Sequence, residues 1–432
     1  MFAGSIGVAH RIEELVRELY GIELPIGLTA WDGSVAGPDG EPRVLLRSRR
    51  ALRHLLWQPG ELGLARAFVS GDLDVRGDLG EGLRRCWATA RDQELGPVRL
   101  GARGWLRLVS AALRLGAVGP RPAPPAGEAR LSGGLHSRNR DRSAIAHHYD
   151  AGNEFYELLL DPRMAYSCGY YTDGELPLAA AQEEKLDLVC RKLGLTSGMR
   201  LLDVGCGWGS LILYAAQRYG VRATGVTLSG RQAEHIRCRV AQFGLREQVE
   251  VLHRDYREID APPFDAIASI EMGEHVGTGN YPVFAATLHR MLRPGGRLLL
   301  QQMSRGGTAP GGGAFIEAYI APDMAMVPIG RTLDYLEQAG LEVRDVEGMR
   351  EHYVRTVRDW TRTLRDRWDD AVGMVGVEQA RVWRLYLAGG ALAFEENRMG
   401  VNQILAVRAG TDGDSGLPLV SRESLLRTAG KG

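Results

Sequence analysis

The residues with the clearest chemical potential are three glycines that follow an apolar stretch ending in an acidic residue. In the segment "LLDVGCGWGS" (201–210), Gly205, Gly207 and Gly209 occupy alternate positions just after Asp203. Glycines in a turn between a strand and a helix let a ligand approach the backbone closely. Dinucleotide-binding loops instead have the spacing G-x-G-x-x-G. The spacing therefore favours a ligand other than NAD, with a plain tight turn as the structural alternative.

The same segment resembles the loop of methyltransferases that use S-adenosylmethionine, which carry D-x-G-x-G-x-G at this place. There the glycines admit the uncharged middle of the ligand, and the acid tolerates its amino and sulfonium charges. The segment "MLRPGGRLLLQ" (291–301) adds support, since a helix ending in R-P-G-G before the fifth strand is common in that fold. We therefore place Asp203, Gly205, Gly207 and Gly209 in a predicted cofactor site.

The elements around this loop alternate in the manner of an α/β fold. Helical patterns separate five predicted strands, "MRLLDVG", "RATGVTL", "VEVLHRD", "FDAIASI" and "GRLLLQQM". Two later segments, "LEVRDVEG" and "NQILAVRAG", would add strands at an edge. The order predicts a doubly wound, Rossmann-like class I methyltransferase sheet with helical insertions and with binding loops at the carboxyl ends of its strands.

The division into domains rests on a segment rich in proline and glycine, "GAVGPRPAPPAGEARLSGG" (116–134). We predict a small N-terminal α+β domain associated with lipid or membrane (1–115), a linker (116–140), a methyltransferase domain (141–410) and a C-terminal tail (411–432). Within the first domain, "IGLTAWDGSVAGPDGEPRVLLRS" predicts a hairpin whose turn is "GPDGEP".

Composition and charge narrow the class of protein. The 432 residues are 44% hydrophobic and 25% charged, which is typical of a globular protein with a sizeable core. The five cysteines contain no C-x-x-C pair, no apolar run reaches 18 residues, and the N-terminus lacks a secretory pattern. We therefore expect a cytoplasmic protein with reduced thiols.

A local excess of positive charge interrupts this balanced composition. Residues 96–145 contain nine arginines against two acidic residues, and Arg99, Arg103 and Arg107 recur at four-residue spacing. Such a helix could lie on an anionic membrane surface. An ordinary surface helix with a solvated arginine face is the alternative.

Four further stretches resemble the cyclopropane fatty acid synthase family and cover most of residues 140–410. They are "IAHHYDAGNEFYELLLD" (145–161), "MAYSCGYY" (164–171), "GVTLSGRQAEH" (225–235) and "EHVGTGNYPVF" (274–284). The N-terminal part is more weakly similar, through "GELGLARAFVSGDLDV" (60–75). The resemblance implies transfer of a methyl group from S-adenosylmethionine to a cis double bond in an acyl chain, usually of a membrane phospholipid.

The resemblance also implies roles for individual residues. Cofactor contacts are expected, besides the glycine loop, at Tyr166, Ser167, Thr227, Leu228 and Gln232, with Asp255 and Tyr256 near the adenine. A bicarbonate ion is expected around Cys168, Glu274 and Tyr353. With His275 and Gln301, these three residues form the candidate catalytic set.

The chemistry accounts for these residue types. Methyl transfer to an alkene needs a well-placed sulfonium and produces a carbocation, so aromatic faces should line the pocket and cations should not. The region is rich in aromatic residues, namely Tyr149, Phe155, Tyr156, Tyr166, Tyr170 and Tyr171. A carboxylate or bicarbonate base must then remove a proton, and Glu274 could act directly or anchor the anion.

Each feature has a structural alternative. Cys168 could be a small buried packing residue, and Glu274 with His275 could form a cap and loop pairing after the fourth strand. His147 and His148 are adjacent and no third ligand is evident, so we predict no metal site. The apolar segment 305–330 predicts a lid over the acyl chain, with a crossover packed on the sheet as the alternative.

The resemblance is incomplete at the predicted base. Gln301 and Met303 stand where well-known bacterial synthases have histidine and isoleucine, and Glu271 stands where they have a small residue. Other branches of the family share the glutamine and the additional glutamate, so the product stays open between a cyclopropane and a mid-chain methylene. The segments "AFIEAYIAPDM" (314–324) and 381–408 resemble the branch that makes 10-methyl-type fatty acids, which favours the methylene.

The expected partners follow from the resemblance to the cyclopropane fatty acid synthase family. They are a phospholipid membrane surface at the inner face, an unsaturated, oleoyl-type acyl chain, and a separate reductase for a methylene product; a homodimer is left open. Two rival functions are a non-catalytic lipid-binding protein and a small-molecule or RNA methyltransferase. The arginine-rich segment lacks interleaved aromatic residues beyond Trp105, which argues against nucleic acid.

Overall fold

The computed structural model of the chain describes residues 7–95, 109–129, 131–137, 140–141, 144, 152–307 and 312–418. These residues divide into two units. The first comprises Met1–Glu128, Gly313–Tyr319 and Trp368–Leu392, and the second comprises Ala129–Gly312, Ile320–Arg367 and Ala393–Gly432. Arg99, Arg103, Arg107, Tyr149 and the pair His147–His148 lie outside the described residues.

The first unit is an α+β fold, as predicted. Its elements in chain order are α1 (Val8–Tyr20), β1 (Gly27–Thr29), β2 (Val35–Ala36), β3 (Arg43–Leu46), α2 (Arg50–Trp57), α3 (Glu61–Val69), β4 (Leu73–Arg76) and α4 (Leu79–Asp92). The strand order is β2-β1-β3-β4. Leu28, Leu46, Phe68 and Val75 belong to the hydrophobic core of this unit.

The predicted hairpin in this unit is wrong in its turn. β1 pairs antiparallel with β2 through the short turn around Gly33, whose φ is +80°. β3 then pairs in parallel with β1, so "GPDGEP" connects β2 to a strand that is not its neighbour. The "DG" at Asp32 and Gly33 was the competing turn signal, and Asp32 also accepts a bond from the Ser34 backbone N–H at 3.1 Å.

The second unit contains the predicted doubly wound sheet. Its strands are β5 (Arg200–Val204), β6 (Arg222–Thr227), β7 (Val249–His253), β8 (Phe264–Ile270), β9 (Leu292–Arg305), β10 (Glu342–Gly348) and β11 (Met399–Val407). The strand order is β10-β11-β9-β8-β5-β6-β7, and β11 is antiparallel to both its neighbours. All seven strands correspond to segments identified from the sequence.

Helices connect these strands and cover the sheet. They are α5 (Asn153–Leu159), α6 (Leu178–Leu193), α7 (Ser210–Tyr219), α8 (Gly230–Gln242), α9 (Tyr281–Met291), α11 (Ile329–Gln338) and α12 (Arg350–Asp366); α10 (Gly313–Tyr319) belongs to the first unit, and α13 (Trp368–Glu395) begins there. Two buried clusters form the core of this unit, and the central strand β5 is buried beyond Arg200. A parallel sheet covered on both faces requires such continuously apolar strands.

The units differ from the predicted division in more than one respect. Residues 116–128 of the predicted linker group with the first unit, and residues 411–418 of the predicted tail group with the second. The prediction assigned all of 141–410 to the methyltransferase domain, whereas α10 and most of α13 group with the first unit. Arg381 of α13 donates to the Phe68 carbonyl at 2.6 Å, and its guanidinium lies 4.4 Å from the centre of the Phe68 ring. Tyr319 of α10 donates to Glu128 at 3.2 Å.

One finding concerns the segment that was predicted to form a lid. Phe315, Ile320 and Met326 of the predicted lid segment are buried, and Ala314 donates its backbone N–H to Glu61 at 2.9 Å within the first unit.

Among the helices that the structure describes, none combines the length and hydropathy that a membrane crossing requires.

Candidate functional site

The glycine loop lies between β5 and α7 at the carboxyl end of the sheet. Gly205, Gly207 and Gly209 have φ values of +83°, +52° and +84°, a region that favours glycine. A Cβ at Gly205 would lie 2.6 Å from Met272, and one at Gly209 would lie 2.9 Å from Ile236. A Cβ at Gly207 would meet no atom within 4 Å. Gly207 is thus the glycine whose α-carbon faces open space.

That space is a cleft of about 1170 Å³, counting its open mouth. Ten of the eleven predicted cofactor residues line it: Tyr166, Ser167, Asp203, Gly205, Gly207, Thr227, Leu228, Gln232, Asp255 and Tyr256. Gly209 is the exception because it packs against Ile236 behind the loop. His275 of the candidate catalytic set also lines the cleft.

Two buried polar atoms in the cleft lack a protein partner. They are Asp203 Oδ1 and Gln232 Nε2, an acceptor and a donor. Burial raises the pKa of Asp203 to about 7, with the positive charge of Lys185 acting in the opposite direction. Thr227 Oγ1 donates to Gln232 Oε1 at 2.7 Å, which leaves the Gln232 amide nitrogen for a ligand.

Lys185 in the cleft wall contradicts the expectation that no cation lines the pocket. It is 1% exposed, and its Nζ donates to Ser167 Oγ at 2.9 Å. Burial lowers its pKa, whereas the nearby Glu271 and Asp161 carboxylates raise it. Because acidic groups surround it, Lys185 neutralises carboxylates instead of adding net positive charge to the cleft.

The far side of the cleft is an ion-pair cluster around Asp255. Arg257 donates its Nη2 to Asp255 at 2.6 Å and to Asp141 at 3.2 Å. The Tyr256 ring contacts Phe284 edge-on with centroids 5.3 Å apart. Asp255 and Tyr256 were predicted from the sequence, whereas Arg257, which orients Asp255 and Asp141, was not.

The turn after β8 brings Glu271 into the wall of the cleft. Glu271 has φ +52°, a sparsely populated conformation for a residue with a side chain, and its backbone N–H donates to the Gln301 carbonyl at 2.6 Å. Backbone strain of this kind is concentrated at functional sites. From this turn the Glu271 side chain reaches partners in the segment before α6, in β9 and in α12.

Three of the residues singled out in the sequence donate hydrogen bonds to Glu271. Its Oε1 accepts from the Cys168 backbone N–H at 2.8 Å and from Gln301 Nε2 at 2.9 Å. Its Oε2 accepts from the Tyr353 hydroxyl at 2.5 Å. Burial raises the pKa of Glu271, while these three donors and the charge of Lys185 lower it. We call Glu271, Cys168, Gln301 and Tyr353 the Glu271 cluster.

Glu274, the predicted base, occupies a different environment. It is 2% exposed, its Oε1 accepts from the Met303 backbone N–H, and its Oε2 has no partner. Burial and the nearby negative charge of Glu271 raise its pKa to about 8. It makes no hydrogen bond to the Cys168 or Tyr353 groups that hold Glu271, and its expected place with those two residues around an anion stays a prediction.

Cys168 contributes its backbone to the cluster. Its side chain is fully buried and its Sγ faces the carbonyl oxygens of Gly169 at 3.3 Å and Met349 at 3.7 Å. Burial raises the pKa of this thiol well above its usual range, with Glu271 acting in the same direction. The thiol therefore packs, and no nucleophilic role follows from it.

Aromatic side chains connect the cleft to the Glu271 cluster. Tyr166 contacts Tyr156 and Trp360 with ring centroids 5.5 and 5.4 Å apart, and Trp360 contacts Tyr353 at 6.2 Å. Tyr156 also lies 4.5 Å from Trp208 in the cleft wall. Tyr166 and Tyr156 were predicted; Trp208, Trp360 and Tyr353 complete the aromatic group.

Two of the predicted aromatic residues point elsewhere. Tyr170 stacks on His352 at 4.7 Å and donates to Glu347 at 3.0 Å. Tyr171 donates to Asp359 at 2.9 Å. Within the described part of the chain, no group of three or more His, Cys, Asp or Glu side chains is placed to hold a metal ion.

The chain is similar in sequence to one family of known proteins. Residues 136–404 match the family model described as mycolic acid cyclopropane synthetase. The probable fatty acid methyltransferase Rv3720 of Mycobacterium tuberculosis is 42% identical over 91% of this chain and 94% of its own length. A probable fatty acid methyltransferase of Pseudomonas putida is 36% identical over 96% of this chain and 100% of its own.

A solved structure extends the similarity to the fold. The crystal structure of the mycolic acid cyclopropane synthase CmaA1, complexed with SAH and CTAB, superimposes with a TM-score of 0.59 at 32% identity. The match covers 61% of this chain and 97% of that one. The two relatives thus resemble this chain along nearly its whole length, and the solved structure resembles it over about three fifths.

Proposed function

The chain belongs to the mycolic acid cyclopropane synthetase family of S-adenosylmethionine-dependent methyltransferases, and from this premise we propose that it methylates the cis double bond of an unsaturated acyl chain. The proposed substrate is an oleoyl-type chain in a membrane phospholipid. The proposed product is a mid-chain methylene, and a cyclopropane is the alternative. The Glu271 cluster beside the glycine-loop cleft carries the proposal.

The residues of the cleft fit S-adenosylmethionine. The unpartnered Asp203 Oδ1 suits a cationic group of the ligand, the unpartnered Gln232 Nε2 suits an acceptor, and Gly207 leaves room for close approach. When bound there, the cofactor supplies an electrophilic methyl group. Asp203 would lose its raised pKa on meeting a cation, because an opposite charge favours the ionised form.

The aromatic group supports the positive charge that develops on the acyl chain. Tyr166 and Trp208 line the cleft, and Tyr166 contacts Trp360, which in turn contacts Tyr353. The faces of such rings attract cations without reacting with them. Their packing also excludes water, which would otherwise capture the carbocation.

Glu271 is the group best placed to remove the proton. It lines the cleft, and its two oxygens accept three hydrogen bonds that favour its ionised form against the cost of burial. A buried carboxylate whose ionised form is moderately stabilised is a suitable general base. Tyr353 and Gln301 orient it, so the proposed base is Glu271 in place of Glu274.

The residues do not fit a separate bicarbonate ion. Tyr353 and the Cys168 backbone, which were expected to hold it, both donate to Glu271. A second anion beside this buried carboxylate would suffer like-charge repulsion with no donor left from that pair. In our proposal the carboxyl group of Glu271 replaces the ion expected from the resemblance.

The experiment is methyl transfer from labelled S-adenosylmethionine to vesicles of an oleoyl phospholipid, followed by mass spectrometry of the acyl chains. A methylene takes up two hydrogens on mild hydrogenation, whereas a cyclopropane resists it. We expect a labelled product that is hydrogenated, and such a product would require a separate reductase to become a methyl branch. Absence of label in the acyl chain would contradict the proposal, and a resistant product would favour the cyclopropane.

A further inference from the structure

A chain of three hydrogen bonds joins Glu271 to a buried lysine outside the cleft. Gln301 Nε2 donates to Glu271, Gln403 Nε2 donates to Gln301 Oε1, and Lys192 Nζ donates to Gln403 Oε1, each at 2.9 Å. Lys192 is 2% exposed, and both glutamines are fully buried. Lys192 and Gln403 lie outside the cleft wall. We call Lys192, Gln403 and Gln301 the amide relay.

The sheet fixes the positions of the relay. Gln301 of β9 and Gln403 of β11 are directly opposite each other in the antiparallel register. Lys192 reaches them from the last turn of α6 and also contacts Glu347 and, at 3.7 Å, Asp345, both on β10. Three adjacent strands and one helix therefore hold the relay in place.

The chemistry of the end groups gives the relay one direction. A lysine ammonium only donates hydrogen bonds, an ionised carboxylate only accepts them, and each amide has one donor end and one acceptor end. One end of the relay can only donate hydrogen bonds and the other end can only accept them. Both amides therefore form all of these hydrogen bonds in only one orientation. We infer that Lys192 is a positioning residue that orients both amides so that Gln301 presents an N–H to Glu271 and favours the ionised carboxylate. This inference rests on the proposed role of Glu271.

Other charged groups also face Glu271 and act in parallel with the relay. Lys185 of α6 and Tyr353 of α12 favour the ionised form. The negative charge of Glu271 raises the pKa of Glu274, which follows β8. The charge of Asp203, at the end of β5, raises the pKa of Lys185. Because Lys185 remains, loss of the relay would raise the pKa of Glu271 without preventing its ionisation.

The test is Lys192→Met in the full chain, assayed for methyl transfer to oleoyl phospholipid vesicles across pH. Without the ammonium, Asp345 and Glu347 favour the Gln403 N–H turned towards them. The reversed relay then presents the Gln301 carbonyl to Glu271, which favours the protonated carboxyl. We expect the acidic limb of the kcat/KM profile to shift by about 1 unit towards higher pH. At pH values below that limb, kcat/KM should then be about tenfold lower than in the original protein. Affinity for S-adenosylmethionine, measured by calorimetry, should stay unchanged.

Three further variants make the test decisive. Gln403→Leu interrupts the relay while leaving Lys192 paired with Glu347, and it should move the limb in the same direction even if Lys192→Met folds poorly. Lys192→Arg keeps a donor-only cation and should restore the original limb. Arg191→Met removes a neighbouring cation that pairs with Asp187, and its profile should match the original protein.

A pH profile of Lys192→Met or Gln403→Leu that coincides with that of the original protein would overturn the inference. A loss that is uniform across pH would do the same, because it indicates a structural role only. Failure of the proposed role of Glu271 has a different signature, namely full turnover in Glu271→Gln. Failure of the proposed function itself is the absence of label in the acyl chain.

Discussion

Glu271 and Glu274 lie three positions apart but meet different partners. Because Tyr353, Cys168 and Gln301 converge on Glu271, we predict that Glu271→Gln loses turnover by about 10²–10⁴-fold, as expected for removal of a general base. Tyr353→Phe should fall in the same direction by less. Initial rates on oleoyl phospholipid vesicles measure both effects, and calorimetry should show retained affinity for S-adenosylmethionine.

Glu274→Gln is the matched control for this prediction. It makes the same chemical change at a buried carboxyl whose pKa near 8 keeps it protonated at neutral pH, so its turnover should fall less than that of Glu271→Gln. A larger loss of turnover in Glu274→Gln than in Glu271→Gln would indicate that Glu274 is the base.

Glu274 should also influence stability in a pH-dependent way. Its pKa rises from 4.5 in the unfolded chain to about 8 in the folded one, so the folded state binds the proton more tightly. Stability from this residue is therefore greatest below pH 4.5 and falls as pH rises towards 8. We predict that Glu274→Gln raises the melting temperature relative to the original protein at pH 9 but much less at pH 5. Equal differences at both pH values would contradict the raised pKa.

At the scale of elements, the turn between β5 and α7 separates binding from packing. Gly207 faces the cleft, so Gly207→Val should abolish S-adenosylmethionine binding while costing roughly 1–2 kcal/mol of stability for its left-handed conformation. Calorimetry and thermal unfolding measure the two effects. Normal affinity in this variant would refute the assignment of the cleft.

Gly209 provides the comparison within the same turn. Its Cβ would lie 2.9 Å from Ile236, away from the cleft, so Gly209→Ala should lose stability by overpacking, roughly 1–3 kcal/mol. The folded fraction should still bind S-adenosylmethionine. Loss of binding in folded Gly209→Ala would show that the turn acts as one unit.

At the scale of the whole molecule, a phospholipid substrate requires contact with a membrane surface. The charge pattern of Arg99, Arg103 and Arg107 supports such contact, at about 1 kcal/mol for each basic residue near an anionic surface. We predict that replacing all three with glutamine weakens sedimentation with anionic vesicles and that high salt has the same effect. Replacement with lysine should preserve binding. Unchanged sedimentation of the glutamine variant would leave the segment as an ordinary solvated surface.

The whole-molecule organisation also shows the reach of sequence patterns. Apolar runs and their spacing predicted all seven strands of the large sheet. Burial on both faces gives the central strand β5 a continuous apolar signature, whereas the edge strand β10 has only exposed and half-buried residues. The grouping of α10 and most of α13 with the N-terminal unit has no such local signature in the sequence. Contacts such as that of Arg381 with Phe68 join residues more than 300 positions apart, and no local pattern records them.

The class of fold and the glycine loop could be predicted from the sequence, and ten of the eleven predicted cofactor residues line the cleft, because these features depend on local spacing and on backbone conformations that only glycine adopts readily. Only the tertiary contacts show which carboxylate meets Cys168 and Tyr353. Glu271 and Glu274 are equivalent as residue types, and the left-handed turn at Glu271 selects the one that reaches Cys168 and Tyr353. Those partners lie 103 and 82 positions away, so only the packing of α12 and of the segment before α6 against the sheet edge brings them together.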